Sequence, residues 1–248
     1  GTEVVVFSSA IKQDNVEILS AHEKGIPVIR RAELLGELLK VKKTSIAVSG
    51  THGKTTTSSM LGLILLESKL DPTLVIGGIV NKFNTNSISG SGDIILVEAD
   101  EFDRTFLSLR PTISIINNLD LEHLDCYKNL NDLKSSFIQF ANSVPFYGLV
   151  SLCTDSKNVN NILKHINRPF ITFGTTKNVN VQASEIKYEK FSSTFKLHYN
   201  DKYLANIVLN MPGKHNVLNA LGAISIALEL NVEIKSIKKV LKNYSGVR

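Results

Sequence analysis

Cysteine is scarce. Cys126 and Cys153 are the two in 248 residues, too few to staple a chain of this length, which excludes a disulfide scaffold and points to a reducing compartment, the cytoplasm. Neither joins a histidine in a C-x-x-C or H-x-x-x-H spacing, so the sequence offers no zinc site. No stretch approaches the roughly 18 successive apolar residues of a membrane span. The opening Gly1-Thr2-Glu3-Val4-Val5-Val6 lacks the basic region followed by an apolar one that marks a secretion signal. Like charges do not cluster either. Twenty-eight Lys and Arg are scattered among 23 Asp and Glu, a formal charge of +5, which suits a small polyanionic ligand but supplies no basic stripe for a nucleic acid. Internal repeats and low-complexity segments are absent. What is present is a globular composition, 43% hydrophobic and 21% charged, over a length between one and two domains.

The N-terminal stretch reads as a βαβα remnant. Val4 to Phe7 forms a strand, Val16, Ile18 and Leu19 mark a helix, Ile26 to Ile29 a second strand and Ala32 to Leu39 a second helix. A start inside a β-branched run, without methionine, is expected of an internal fragment. A polar break at Val41 to Lys43 precedes Ser45-Ile46-Ala47-Val48, and further buried-type strands follow at Leu74 to Ile76, Ile94 to Val97, Ile113 to Ile116 and Leu149 to Leu152. Short apolar runs alternating with helical patterns such as Leu130 to Val144 predict an α/β fold, a mostly parallel sheet with helices on both faces. Between Val179 and Leu209 the period changes to two, which predicts a small antiparallel meander with His198 on its solvated face. Val217, Leu221, Ile224 and Leu228 then recur at helical spacing, and a last helix is expected from Val232 to Lys242.

The strongest chemical signal is Gly50-Thr51-His52-Gly53-Lys54-Thr55-Thr56, lying between a β-branched strand and an apolar helix. Backbone N–H groups at a helix start converge on one spot, glycine lets an anion approach them, and the helix dipole adds partial positive charge. Lys54 is expected to meet the outer phosphates of a nucleotide, and the Thr55 hydroxyl to hold a Mg²⁺ ion. The pattern is the shorter G-x-x-G-K-T, because Val48 stands where the longer phosphate-loop pattern has glycine. His52 belongs to the cradle through its backbone.

Asp93-Ile94-Ile95-Leu96-Val97-Glu98-Ala99-Asp100-Glu101 is a buried strand ending in carboxylates, and ligands in open parallel sheets gather at the carboxyl ends of strands. Glu98, first past the apolar run, is the expected metal ligand; Asp100, Glu101 and Asp103 read as a solvated acidic loop. The next strand ends in Asn117-Asn118-Leu119-Asp120-Leu121-Glu122-His123, where a neutral imidazole among oxygen ligands could hold a second divalent ion. At the start of the late helix, His215-Asn216-Val217-Leu218-Asn219 places two amides on one face of an exposed first turn, suited to the donor and acceptor edge of a purine.

Together these segments resemble the Mur ligase family. The motifs are the G-T-H-G-K-T-T loop, E-A-D-E-x-D at Glu98 to Asp103, N-x-D-x-E-H-x-D at Asn118 to Asp125, Pro145-Phe146-Tyr147-Gly148, and P-G-K-H-N-x-x-N at Pro212 to Asn219, while Ser8-Ser9-Ala10-Ile11 resembles the tail of the family's uridine-binding domain. The resemblance implies ATP and Mg²⁺ as cofactors. Lys54, Glu98 and His123 become catalytic, Thr55, Glu98 and His123 hold Mg²⁺, and Gly50 to Thr56 with His215, Asn216 and Asn219 bind the nucleotide. It further implies an ATP-dependent ligation of L-alanine to UDP-N-acetylmuramate through an acyl phosphate, giving ADP and phosphate. A ligase that re-attaches a recovered tripeptide to the same muramate shares the loop. A nucleotide-dependent switch is the rival of another class, because Asn81-Lys82-Phe83-Asn84 resembles the guanine-reading N-K-x-D. The implied organisation is the end of a uridine-nucleotide domain over 1–42 and a central ATP-binding domain over 43–248, with a C-terminal amino-acid domain absent. Two departures stand out: Phe102 where the acidic motif often has Ser, and Asn84 where the Gly77-Gly78 loop usually carries another glycine, a position Asn tolerates at positive φ.

Overall fold

The computed structural model describes residues 1–8, 10–121 and 126–248, and of Asp103 the backbone alone. Near the N-terminus, β1 (Val5–Phe7) pairs in parallel with β2 (Val28–Arg30), and α1 (Val16–Glu23) and α2 (Arg31–Leu39) follow them in turn. This two-stranded sheet is separate from the main one.

The main sheet has ten strands among the described residues. They are β3 (Thr44–Ser49), β4 (Thr73–Val80), β5 (Thr85–Ile88), β6 (Ile94–Glu98), β7 (Ile113–Ile116), β8 (Leu149–Cys153), β9 (Phe170–Gly174), β10 (Val181–Tyr188), β11 (Ser193–Tyr199) and β12 (Lys202–Leu209), in the spatial order β12-β11-β10-β9-β8-β7-β3-β6-β4-β5. Every pairing from β4 through β10 along that order is parallel. The predicted meander, β10 to β12, is antiparallel and continues this sheet through the parallel β9–β10 pair. On it His198 is half-buried and bonded to Ser184 at 2.9 Å, not freely solvated.

Helices cover both faces. On one lie α3 (Lys54–Glu67), α6 (Lys214–Glu229) and α7 (Ile234–Lys242); on the other lie α4 (Leu130–Asn142) and α5 (Lys157–Ile162), with a 3₁₀ turn over Phe102–Ser108. Nine successive residues of α3, Thr57 to Leu65, are buried, the apolar run Met60 to Leu65 among them, as expected of a helix sandwiched in a core. It rides close on β4, where a Cβ on Gly62 would lie 2.9 Å from Leu74. No helix among the described residues is long and apolar enough to cross a membrane.

Three features position the site. First, β3 runs between β6 and β7, with Val48 opposite Glu98 and Ser49 opposite Ile116, so the loops leaving three adjacent strands emerge side by side. Second, α3 begins directly after β3, at Gly53 with φ of +79°, a backbone state glycine adopts without strain. Third, the chain's last residues return to β4: Val247 bridges Val80, Ile79 and Arg248 exchange backbone hydrogen bonds of 2.8 and 3.0 Å, and Asn81 N–H donates to the Gly246 carbonyl.

Candidate functional site

The phosphate loop fills the space above β3. Gly50 has φ of +135°, and a Cβ there would meet Asn117 and the Asn118 backbone at about 3.1 Å; glycine is required both by the dihedral and by the neighbouring loop. The N–H groups of Lys54, Thr55 and Thr56 open the first turn of α3, where a helix has no internal acceptor for them. The His52 N–H is directed instead to Asn118 Oδ1 at 2.7 Å, and its ring is exposed.

Lys54 extends across the end of β3. Its Nζ donates to the Gly50 carbonyl at 2.9 Å and to Glu101 Oε2 at 2.7 Å, and approaches Asp100 at 4.0 Å. The acidic loop is therefore not uniformly solvated as the sequence suggested. Asp100 is half-exposed, but Glu101 is 1% exposed because the chain turns inward into the 3₁₀ helix, where Tyr127 donates its hydroxyl proton to the Glu101 carbonyl at 2.5 Å. Burial, followed by the charge of Glu101, pushes the Tyr127 hydroxyl far above its ordinary value, so it remains a donor. The Arg104 guanidinium stacks 4.9 Å from the Tyr127 ring centre.

Glu98 is held by three donors: Thr55 Oγ1 at 3.0 Å, Ser58 Oγ at 3.0 Å and the Gly77 N–H at 2.7 Å. A hydroxyl and a carboxylate that meet in this way are hard oxygen donors of the kind Mg²⁺ takes, and Mg²⁺ commonly relies on one or two carboxylates plus phosphate oxygens. A Cβ on Gly77 would fall 2.8 Å from Glu98 Oε2, so glycine leaves the carboxylate its room. The residues present therefore fit that ion. No group of three or more His, Cys, Asp or Glu among the described residues has metal-site spacing, and His123 lies outside the described residues, as do Asp103's side chain, Glu122 and Asp125.

Two cavities flank the loop. One, of about 610 Å³, is lined by His52, Gly53, Thr56, His215, Asn216 and Asn219 among others. The two amides are 5% and 6% exposed, so the first turn of α6 is buried at their face and not exposed as expected, because α6 packs against α3. Asn216 Nδ2 donates to the Pro212 carbonyl at 2.8 Å, while a Cβ on Gly53 would lie 2.2 Å from Asn219 Oδ1. At the rim, Asp155 accepts from Lys214 at 2.9 Å and from Thr175; burial pushes its carboxyl up, but those hydrogen bonds outweigh burial and hold it below the usual carboxylate range. Asp155, Lys214 and the buried Asn117 were given no role of their own in the sequence reading, although Lys214 lies within P-G-K-H-N and Asn117 and Asp155 follow strand ends.

The other cavity, of about 500 Å³, lies across the loop between α2 and the main sheet; Arg31, Leu35, Lys54, Gly77, Asn86 and Glu98 are among its walls. Asn84, at φ of +51°, makes the left-handed turn predicted for it. Asn81, first residue of the guanine-like string, donates its side chain to the Ser245 carbonyl at 2.8 Å.

A glycine loop joining a strand to a buried helix, followed by Lys-Thr and facing a carboxylate on the adjacent strand end, defines a phosphate-loop α/β domain. Comparison with known proteins narrows the class. Residues 48–227 match the Mur ligase middle domain and residues 1–43 the Mur ligase family catalytic domain. The chain belongs to the Mur ligase family. It is 46% identical to the UDP-N-acetylmuramate--L-alanine ligase of Geotalea daltonii over 99% of this chain and 53% of that protein, and 50% identical to the ligase of the same name from Persephonella marina over 99% and 52%. The chain thus spans about half the length of the curated relatives it matches. Among solved structures it superposes on the UDP-N-acetylmuramate-alanine ligase of Thermotoga maritima with a TM-score of 0.85 at 28% identity, covering 99% of this chain and 55% of that one. The UDP-N-acetylmuramate:L-alanyl-gamma-D-glutamyl-meso-diaminopimelate ligase of Neisseria meningitides gives 0.86 at 25% identity, over 99% and 80%.

Proposed function

We propose that the protein containing this chain is a cytoplasmic ligase that joins L-alanine to UDP-N-acetylmuramate at the expense of ATP, a step in making cell-wall peptidoglycan, and that this chain carries its ATP site. The observation that carries the reading is the meeting of two cavities at one phosphate loop. ATP fits the first, with its base against His215, Asn216 and Asn219 and its phosphates on the N–H groups of Lys54, Thr55 and Thr56. The muramate carboxylate fits the second, entering toward Lys54 from the α2 side, where Arg31 complements a diphosphate. On this reading residues 1–42 end the uridine-nucleotide unit and 43–248 form the ATP unit. Two free thiols, Cys126 and Cys153, are consistent with a reducing compartment.

A carboxylate is a poor electrophile, and two anions repel as it approaches the γ-phosphate. Lys54 can move from Glu101 toward the phosphates with its ammonium already aimed along the loop, and the α3 N–H groups stabilise charge as it shifts to the departing ADP. Thr55 and Glu98, with His123, would hold Mg²⁺, whose contribution is further screening of phosphate charge. The resulting acyl phosphate is open to the alanine amine, with phosphate as leaving group.

The relatives named for L-alanine at 44 to 50% identity favour that amine over the tripeptide of the recycling ligase. The test is phosphate release by the full-length protein with ATP and UDP-N-acetylmuramate, supplied with L-alanine or with the tripeptide. Turnover with L-alanine alone is expected; turnover with tripeptide alone, or GTP replacing ATP equally well, refutes the assignment.

A further inference from the structure

We propose that Asn118 is a positioning residue whose carboxamide fixes the phosphate loop by pairing with the His52 peptide. Regular pairing of β3 with β7 ends at Ser49 and Ile116. The two chains then continue side by side: Asn117 N–H donates to the Ser49 carbonyl at 3.0 Å and Thr51 N–H to the Asn118 carbonyl at 3.4 Å. One residue further the backbones have diverged, and the Asn118 side chain takes over. Its Oδ1 accepts from His52 N–H at 2.7 Å and its Nδ2 donates to the His52 carbonyl at 2.9 Å. A carboxamide is the side-chain copy of a peptide unit, donor and acceptor together, so Asn118 serves His52 as a neighbouring strand would. Thr51 completes the seam, its Oγ1 donating to the Asp120 carbonyl at 3.2 Å and accepting from Asp120 N–H at 2.9 Å. Gly50 permits the approach, since a Cβ there would meet residues 117 and 118.

The consequence is a division of labour within the loop. The His52 N–H is spent on Asn118, which leaves phosphate binding to the first turn of α3 and makes the loop's shape independent of the nucleotide. Asn118 acts through His52 and Gly53, not on phosphate.

This inference rests on the ATP reading for its kinetic consequence but not for the clamp itself. In the full-length protein, Asn118→Ala removes both hydrogen bonds and is expected to raise KM for ATP about 10- to 100-fold, with KM for the other two substrates changed less than about two-fold. Asn118→Asp keeps the shape and the acceptor but turns an oxygen toward the His52 carbonyl, and is expected to be worse than Asn118→Ala. In nucleotide-free protein, hydrogen exchange at the His52 amide should accelerate in Asn118→Ala. Asn180→Ala, which removes a comparable loop tether to Thr172 remote from the site, controls for general loosening. An unchanged KM for ATP overturns the proposal, as does unchanged His52 exchange or a loss that Asn180→Ala reproduces. Wild-type protein that does not bind ATP would instead refute the ATP reading, leaving His52 exchange to test the clamp.

Discussion

Replacing Lys54 is expected to damage stability as well as chemistry. Its side chain is 17% exposed and its ammonium lies 2.7 Å from Glu101 Oε2, whose side chain is 1% exposed. Removing one partner of such a pair leaves a charge that cannot reach water, which costs about 3 to 5 kcal/mol where it has been measured. Lys54→Met keeps the length of the side chain and deletes the charge. For a chain of this size about 3 kcal/mol corresponds to a fall of roughly 6 to 12 °C in Tm. Glu101→Gln alone should cost about 1 kcal/mol, because Lys54 can still turn to Asp100 and solvent. The double variant Lys54→Met/Glu101→Gln should recover at least half the loss, since the buried side chain then carries no charge that lacks the Lys54 ammonium. Thermal unfolding followed by circular dichroism without nucleotide reads all four proteins. ATP-dependent turnover falls by orders of magnitude in both Lys54 variants, so the recovery is one of stability alone. Equal Tm for wild type and Lys54→Met, or additive losses in the double variant, would refute the reasoning.

Gly53→Ala combines a residue at φ of +79° with a Cβ 2.2 Å from Asn219 Oδ1; it should abolish measurable nucleotide binding in a titration while Asn219→Ala/Gly53→Ala recovers part of it. Glu98→Gln keeps the hydrogen-bond acceptor toward Gly77 but removes the charge, and should raise the Mg²⁺ concentration needed for half-maximal turnover at least about ten-fold; an unchanged metal titration would return Glu98 to a structural role. The Asp155 carboxyl sits below its ordinary value, so the stability its partners lend is fully present above about pH 4 and is lost as the pH falls through its lowered value. Asp155→Asn should therefore flatten the acid limb of a Tm-against-pH curve, and an unaltered limb would contradict the assignment. Burial pushes the Cys153 thiol up to about 12, so a maleimide at pH 8 should label native protein at Cys126 alone and both cysteines after unfolding.

Much of this was legible in the sequence because parallel strands buried on both faces are short apolar runs, and β3, β6, β7 and β8 stand out as such. The loop at Gly50 to Thr56 was legible for the same reason, its glycines marking the joint between a strand and a helix. β9 was not, although Phe170-Ile171-Thr172-Phe173 precedes a glycine, because the run is short and partly exposed at its start. β5 escaped because Thr85-Asn86-Ser87-Ile88 is an edge strand with a largely polar composition. Local patterns also cannot report what a neighbouring element covers. Asn216 and Asn219 have the periodicity of a solvated face, yet the α3 contact buries them, and Glu101 follows an acid in a string that reads as solvent-facing until the 3₁₀ turn draws it inward. Asn117 and Asn118 form a visible doublet, but its partner, His52, lies 66 residues earlier in the chain.

The return of residues 246–248 to β4 has a consequence for how the protein comes into being. Val247 and Arg248 pair with Val80 and Ile79, and a Cβ on Gly78 would fall 3.1 Å from Thr55 and 3.3 Å from the Arg248 carbonyl, so residues far apart in the sequence converge along β4. During synthesis the phosphate loop can take shape once β7 has emerged, whereas this seam on β4 waits until some 130 further residues have left the ribosome. Newly made chains should therefore shape the loop at Gly50 to Thr56 well before residues 246–248 can close on β4, which separates the two events in time.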